Sequence, residues 1–76
     1  MSPKLPRLTA AEVVRAIERD GWYWIRQTGS HAHYRHPMKR GLVTIPMHSG
    51  KTIPPGILRS ILKQAGLTAD ALQGLL

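Results

Sequence analysis

The sequence contains no Cys and no Phe, and between residues 21 and 69 it contains no acidic residue. Without Cys there is no disulfide framework, no thiolate metal site and no Cys nucleophile, which sets aside secreted disulfide scaffolds and fits a reducing compartment. Long apolar runs are missing too. The longest is Trp22-Tyr23-Trp24-Ile25, and the stretch from Met1 to Arg7 lacks the apolar h-region of a signal peptide, so the chain reads as soluble and cytoplasmic. At 76 residues it is too short for two domains. A domain of this size buries only roughly 60% of the surface its unfolded chain exposes, so its stability margin is thin without a staple or a partner.

What is present is positive charge. The chain carries 11 Lys and Arg against 4 Asp and Glu, a formal net charge of +7. Residues 1–20 are nearly neutral, with Lys4, Arg7, Arg15 and Arg19 set against Glu12, Glu18 and Asp20. The acid-free stretch holds Arg26, Arg35, Lys39, Arg40, Lys51, Arg59 and Lys63 together with all four His. A solvated face usually mixes both signs, so this segregation points to a polyanionic partner, nucleic acid first among them.

Local signals set out the elements. Thr9-Ala10-Ala11-Glu12 is a capping box, Leu8 and Val13 form a hydrophobic staple, and Gly21 suits a helix C′ position, which predicts a helix over 10–20. Aromatic and β-branched residues over 22–28, the turn Gly29-Ser30 and the run 31–36 predict a hairpin. A third strand over 42–45 ends at or near Pro46, which has no N–H for a ladder. Pro55 opens a second helix with Ile57, Leu58, Ile61, Leu62 and Ala65 on one stripe, and Gly66 closes it. Thr68 caps a last short helical turn carrying Leu72, Leu75 and Leu76. The result is an α+β fold in which two helices cover one face of a three-stranded antiparallel sheet and leave the other face open. Strand alternation separates Trp22, Trp24 and Arg26 from Tyr23, Ile25 and Gln27, but both sets mix apolar and polar atoms, so the inward face stays unassigned. Trp22, next to the helix-closing Gly, reads as core, whereas Trp24 and Tyr34 are open to stacking on a base.

The candidate chemistry lies in His31, His33, His36 and His48. His31 and His33 project from one side of a strand, but with no Cys, and no acid between residues 20 and 70, they lack the rest of a zinc shell. No metal and no cofactor is expected. A His near its ordinary pKa can instead accept the proton of an RNA 2′-hydroxyl, with Arg or Lys stabilising the phosphate. His31 follows the Gly29-Ser30 turn, where a substrate backbone can approach closely. Lys51 precedes the second helix, whose positive end and free amides favour a phosphate.

These residues also spell a pattern. Gly21-Trp22, Arg26-Gln27-Thr28-Gly29-Ser30-His31, Val43-Thr44-Ile45-Pro46-Met47-His48 and Ile61-Leu62-Lys63-Gln64-Ala65-Gly66-Leu67 together resemble the HicA, or YcfA-like, family of toxins, over about Leu8 to Leu72. The resemblance implies a double-stranded-RNA-binding-domain-like α-β-β-β-α fold, with residues 1–76 as a single toxin domain. It implies a ribosome-independent mRNA interferase, acting in stress response and neutralised by a HicB antitoxin, with His31 after Gly-Ser as the catalytic residue. An aromatic follows the helix-closing Gly in that pattern, usually Phe, and here it is Trp22. Chemistry and resemblance together make His31 the general base, Ser30, Arg26, Lys51 and Arg35 the RNA contacts, and His48 or His33 possible auxiliary acids. The expected partners are mRNA and a HicB-type antitoxin, with no membrane and no small-molecule cofactor. Two other readings remain: a non-catalytic RNA-binding module of the same fold, and an interaction protein whose basic surface meets only an acidic partner.

Overall fold

The computed structural model describes residues 5–76, so Lys4 and the first residues of the segment read for a signal peptide lie outside the described residues. The chain runs α1 (Ala10–Arg19), β1 (Tyr23–Thr28), β2 (His31–Arg35), β3 (Val43–Pro46), α2 (Pro55–Ala65) and α3 (Ala69–Leu75). The strands form one antiparallel sheet in the order β1-β2-β3. No helix among the described residues is long and apolar enough to cross a membrane.

The capping box forms as the sequence predicts: the Glu12 amide donates to Thr9 Oγ1 at 3.3 Å and the Thr9 amide donates to Glu12 Oε1 at 3.0 Å. The Thr9 amide, and then the Thr9 hydroxyl donating to the same oxygen at 3.0 Å, stabilise the carboxylate and hold the Glu12 pKa below its ordinary value. Leu8 and Val13 are both buried. Gly29-Ser30 makes a two-residue hairpin loop with positive φ (+58°) only at its first residue, the type II′ pattern that matches strand twist. β3 keeps Pro46 as its last paired residue, opposite His31. α2 takes Pro55 at N1 and ends at Gly66. α3 is longer than a single turn, with Thr68 Oγ1 accepting from the Ala71 amide and Leu72 fully buried.

The sheet face is decided by β2 and β3. Ala32 and Tyr34 pair with Ile45 and Val43, all four are buried, and α1 and α2 pack on that side with Val13, Ile17, Leu58 and Ile61. The opposite face presents His31, His33, Arg35, Thr44 and Pro46. β1 answers the open question of its inward side differently from either alternative. Its residues are exposed or half-buried throughout, including Trp24 at 54%, and the register shifts between Trp24 and Arg26. The residues of β1 leave this edge exposed, and Trp22 just before the strand is a core aromatic, as the sequence predicts. Tyr34, left open by the sequence for base stacking, is instead 4% exposed, and its phenol is pushed up in pKa by burial and then by Glu18.

One polar cluster locks α1 to the rest. Asp20 Oδ2 accepts from Lys39 Nζ at 2.6 Å and from Trp22 Nε1 at 3.2 Å, and Lys39 Nζ also donates to the Ala65 carbonyl at the end of α2. His36 Nδ1 accepts from the amides of Met38 and Lys39, which places the proton on Nε2, 2.6 Å from the Asp20 carbonyl it donates to. The His36 ring stands edge-on to Trp22, with centroids 5.2 Å apart. His36 is thereby a packing residue, and Lys39 spends its charge inside the fold.

Candidate functional site

The hairpin register builds the site. His31 is the first residue of β2 and pairs with Pro46, and the Met47 amide donates to the Ser30 carbonyl at 2.6 Å, so the chain leaving β3 carries His48 to the side where His31 projects. The segment 48–53 turns back through Ser49-Gly50, with the Lys51 amide on the His48 carbonyl. Its far end is pinned by the Ile53 amide on the Leu8 carbonyl at 2.7 Å and by a bridge between Thr9 and Thr52. α2 then runs along β3, where Gln64 Oε1 accepts the edge amide of Thr44 at 2.9 Å and closes a backbone donor that would otherwise stay open.

Between these elements lies a groove of about 540 Å³. His31, His48 and Lys51 stand along it with Thr44 and Pro46 of β3, and Ile57, Ser60, Ile61 and Gln64 come from α2. Its volume is that of a small-molecule or single-nucleotide site rather than of a flat interface. His31, His48 and Lys51 are exposed, so each can meet a ligand without unfolding anything. At the start of α2, Pro54 at the N-cap supplies no side-chain bond and Pro55 has no N–H, which leaves the Gly56 and Ile57 amides open at the helix end beside this loop.

The residues singled out in the sequence are distributed in two groups. His31, His48 and Lys51 share the groove. Arg26 of β1 and Arg35 of β2 are exposed, Arg26 opposite His33 and Arg35 opposite Tyr23, and neither lines the groove. Ser30 is half-buried in the hairpin loop, its carbonyl taken by Met47. His33 Nδ1 lies 3.0 Å from Thr44 Oγ1, a cross-strand bond on the open face that leaves Nε2 outward. Among the described residues no three His, Cys, Asp or Glu side chains converge as a metal shell.

Sequence reading missed the α2 wall. Ile57, counted there with the core stripe, is 43% exposed and faces the groove, while Leu58, Ile61, Leu62 and Ala65 are buried. Ile57, Ser60 and Gln64 follow helical spacing along the edge of the buried stripe, a signal that could have marked a second face of α2. Among curated proteins none matches this sequence. The family model for the HicA toxin of bacterial toxin–antitoxin systems matches residues 10–67, from the first residue of α1 to just beyond α2, and so takes in the whole sheet and every groove residue. The chain belongs to that family, and is a toxin of a toxin–antitoxin system with a cognate antitoxin as its partner.

Proposed function

We propose that the groove is the cleavage site of a metal-independent mRNA interferase. The observation that carries this reading is the meeting of two exposed imidazoles, His31 and His48, with the cation Lys51 in one groove that no acidic residue lines. His31 accepts the proton of an RNA 2′-hydroxyl. The 2′-oxygen attacks the adjacent phosphorus, the bond to the 5′-oxygen breaks, and the products are a 2′,3′-cyclic phosphate and a 5′-hydroxyl. The 5′-oxygen leaves with a proton. His48, in its protonated form, is the auxiliary acid better supported by position, because it lines the groove with His31, whereas His33 does not line it and has one ring nitrogen tied to Thr44.

Lys51 and the free amides at the start of α2 stabilise charge on the phosphate. Ser30, Arg26 and Arg35 extend the RNA contact along the hairpin and the open strand face. No step of this reaction requires a metal or an organic cofactor. The reading treats residues 1–76 as one toxin domain working in the cytoplasm, and a HicB-type antitoxin as the inhibitor that covers His31.

The test pairs the purified protein with its His31→Ala variant on a long RNA in EDTA, with the 3′ ends of the fragments analysed. Cleavage by the wild type that the variant loses, leaving cyclic phosphate ends, is the expected result. If both proteins bind RNA and neither cuts, the chain is a binding module of the same fold. If neither binds, its basic surface serves the protein partner alone.

A further inference from the structure

The groove is chemically lopsided. Its titratable and cationic groups, His31, His48 and Lys51, belong to the hairpin end and the 48–53 loop, whereas its α2 side offers Ile57 and Ile61 with the polar ends of Ser60 and Gln64. A phosphate needs only the first half. Gln64 spends its carbonyl oxygen on the Thr44 amide, which leaves its amide N–H pair to donate. Ser60 Oγ donates to the Gly56 carbonyl at 3.2 Å, which leaves its lone pairs to accept. An exposed apolar side chain beside one free donor and one free acceptor is the chemistry that receives a heteroaromatic ring with a polar edge.

Resting on the nuclease reading, we infer that the α2 half of the groove holds one unstacked nucleobase of a single-stranded RNA, next to the scissile phosphate at the His31 end. Charge complementarity supplies the direction: the ribose-phosphate lies against Lys51 and the imidazoles, and the base reaches toward Ile57 and Gln64. Duplex RNA does not fit this arrangement, since its bases are stacked and paired inside the helix. The chemistry imposes the same condition. Attack by the 2′-oxygen requires it to line up with phosphorus and the leaving 5′-oxygen, an alignment that stacked A-form geometry does not provide and an extruded nucleotide does. Ile57 is thus a specificity-determining residue, with Gln64 reading the base edge.

The experiment uses a short single-stranded RNA spanning one mapped cleavage junction, in versions with an abasic ribose on either side of it and in an annealed duplex version. Cleavage is measured with the wild type and with Ile57→Ala, an exposed position whose truncation leaves the core intact. Affinity for the same RNAs is measured with His31→Ala, with and without Ile57→Ala. Removing the base on one side of the junction should lower kcat/KM and affinity roughly 10- to 100-fold in proteins that keep Ile57. In those that lack it the same removal should cost much less, because a base can lose the wall contact only once. Annealing should suppress cleavage.

Equal abasic penalties with and without Ile57, no penalty on either side, or undiminished cutting of the duplex each overturn the inference while leaving the nuclease standing. An Ile57→Ala protein that handles every RNA like the wild type but loses affinity for the cognate antitoxin assigns the wall to that protein instead, which also overturns it. Failure of the wild type to bind or cut any RNA removes both readings together.

Discussion

Replacing Gly21 by Ala tests how the packing histidine, His36, is held in place. Gly21 has φ +108°, which side-chain-bearing residues rarely adopt, and a Cβ there would lie 2.7 Å from His36 Nε2. The ring has nowhere easy to go, since both nitrogens are bonded and its edge rests on Trp22. The backbone strain alone costs about 1–3 kcal/mol. Displacing His36 from the Asp20 carbonyl adds about 1 kcal/mol. Together about 2–4 kcal/mol is lost from a domain whose size suggests a total of roughly 4–11 kcal/mol. Urea unfolding followed by Trp fluorescence reads this as a lower midpoint at unchanged slope. In Gly21→Ala with His36→Ala the Cβ clash disappears, so the double variant should be more stable than the sum of the two losses by about 1 kcal/mol. A Gly21→Ala protein within about 0.5 kcal/mol of wild type, the scatter of ordinary surface substitutions, would refute the reasoning, and so would strict additivity.

Lys39 and Lys51 separate structural from functional charge. Lys39→Ala, which breaks the bonds to Asp20 and the end of α2, should cost about 1 kcal/mol of stability and leave the salt dependence of RNA binding unchanged. Lys51→Ala should do the reverse, leaving the unfolding midpoint in place while flattening the slope of log K against log salt by about 0.7. The pH dependence of stability has two limbs. The Glu12 pKa is lowered in the fold, so its contribution is present above the unfolded carboxylate value and is lost as pH falls through the folded one. Glu12→Gln, read by thermal unfolding from pH 7 to pH 3, should be less stable than the wild type at pH 7 and show a shallower acid decline. The Tyr34 pKa is raised, so its contribution is present below the ordinary value of 10.0 and fades as pH climbs through the folded one. Tyr34→Phe should lack that alkaline decline.

The four histidines show how far the site was legible. All lie within 18 residues (31–48), and their spacing alone gives them equal standing. Short-range motifs singled out His31, through the Gly29-Ser30 turn, and Lys51, through the coming helix start. Setting His36 aside needed Asp20, Trp22 and Gly21, which reach it only through packing. Uniting His48 with His31 needed the pairing of His31 with Pro46. A slip of one residue in that register would turn His31 to the core side and bring Ala32 out. The α2 wall was hidden for a similar reason. Ile57 fits the apolar period of the helix, and only the line along which α2 meets β3 leaves it outside the core.

What the sequence by itself determined is therefore local. Caps, staples, hairpin chemistry and apolar period set five elements within a residue or two and marked the start of a sixth, α3, because each is governed by contacts between neighbours in the chain. The tertiary structure alone decided which charges are spent internally, which strand stays exposed, and which residues face one groove. Those depend on strand register and helix placement, where side chains as distant in sequence as His31 and Gln64 come together, and no local preference encodes that meeting.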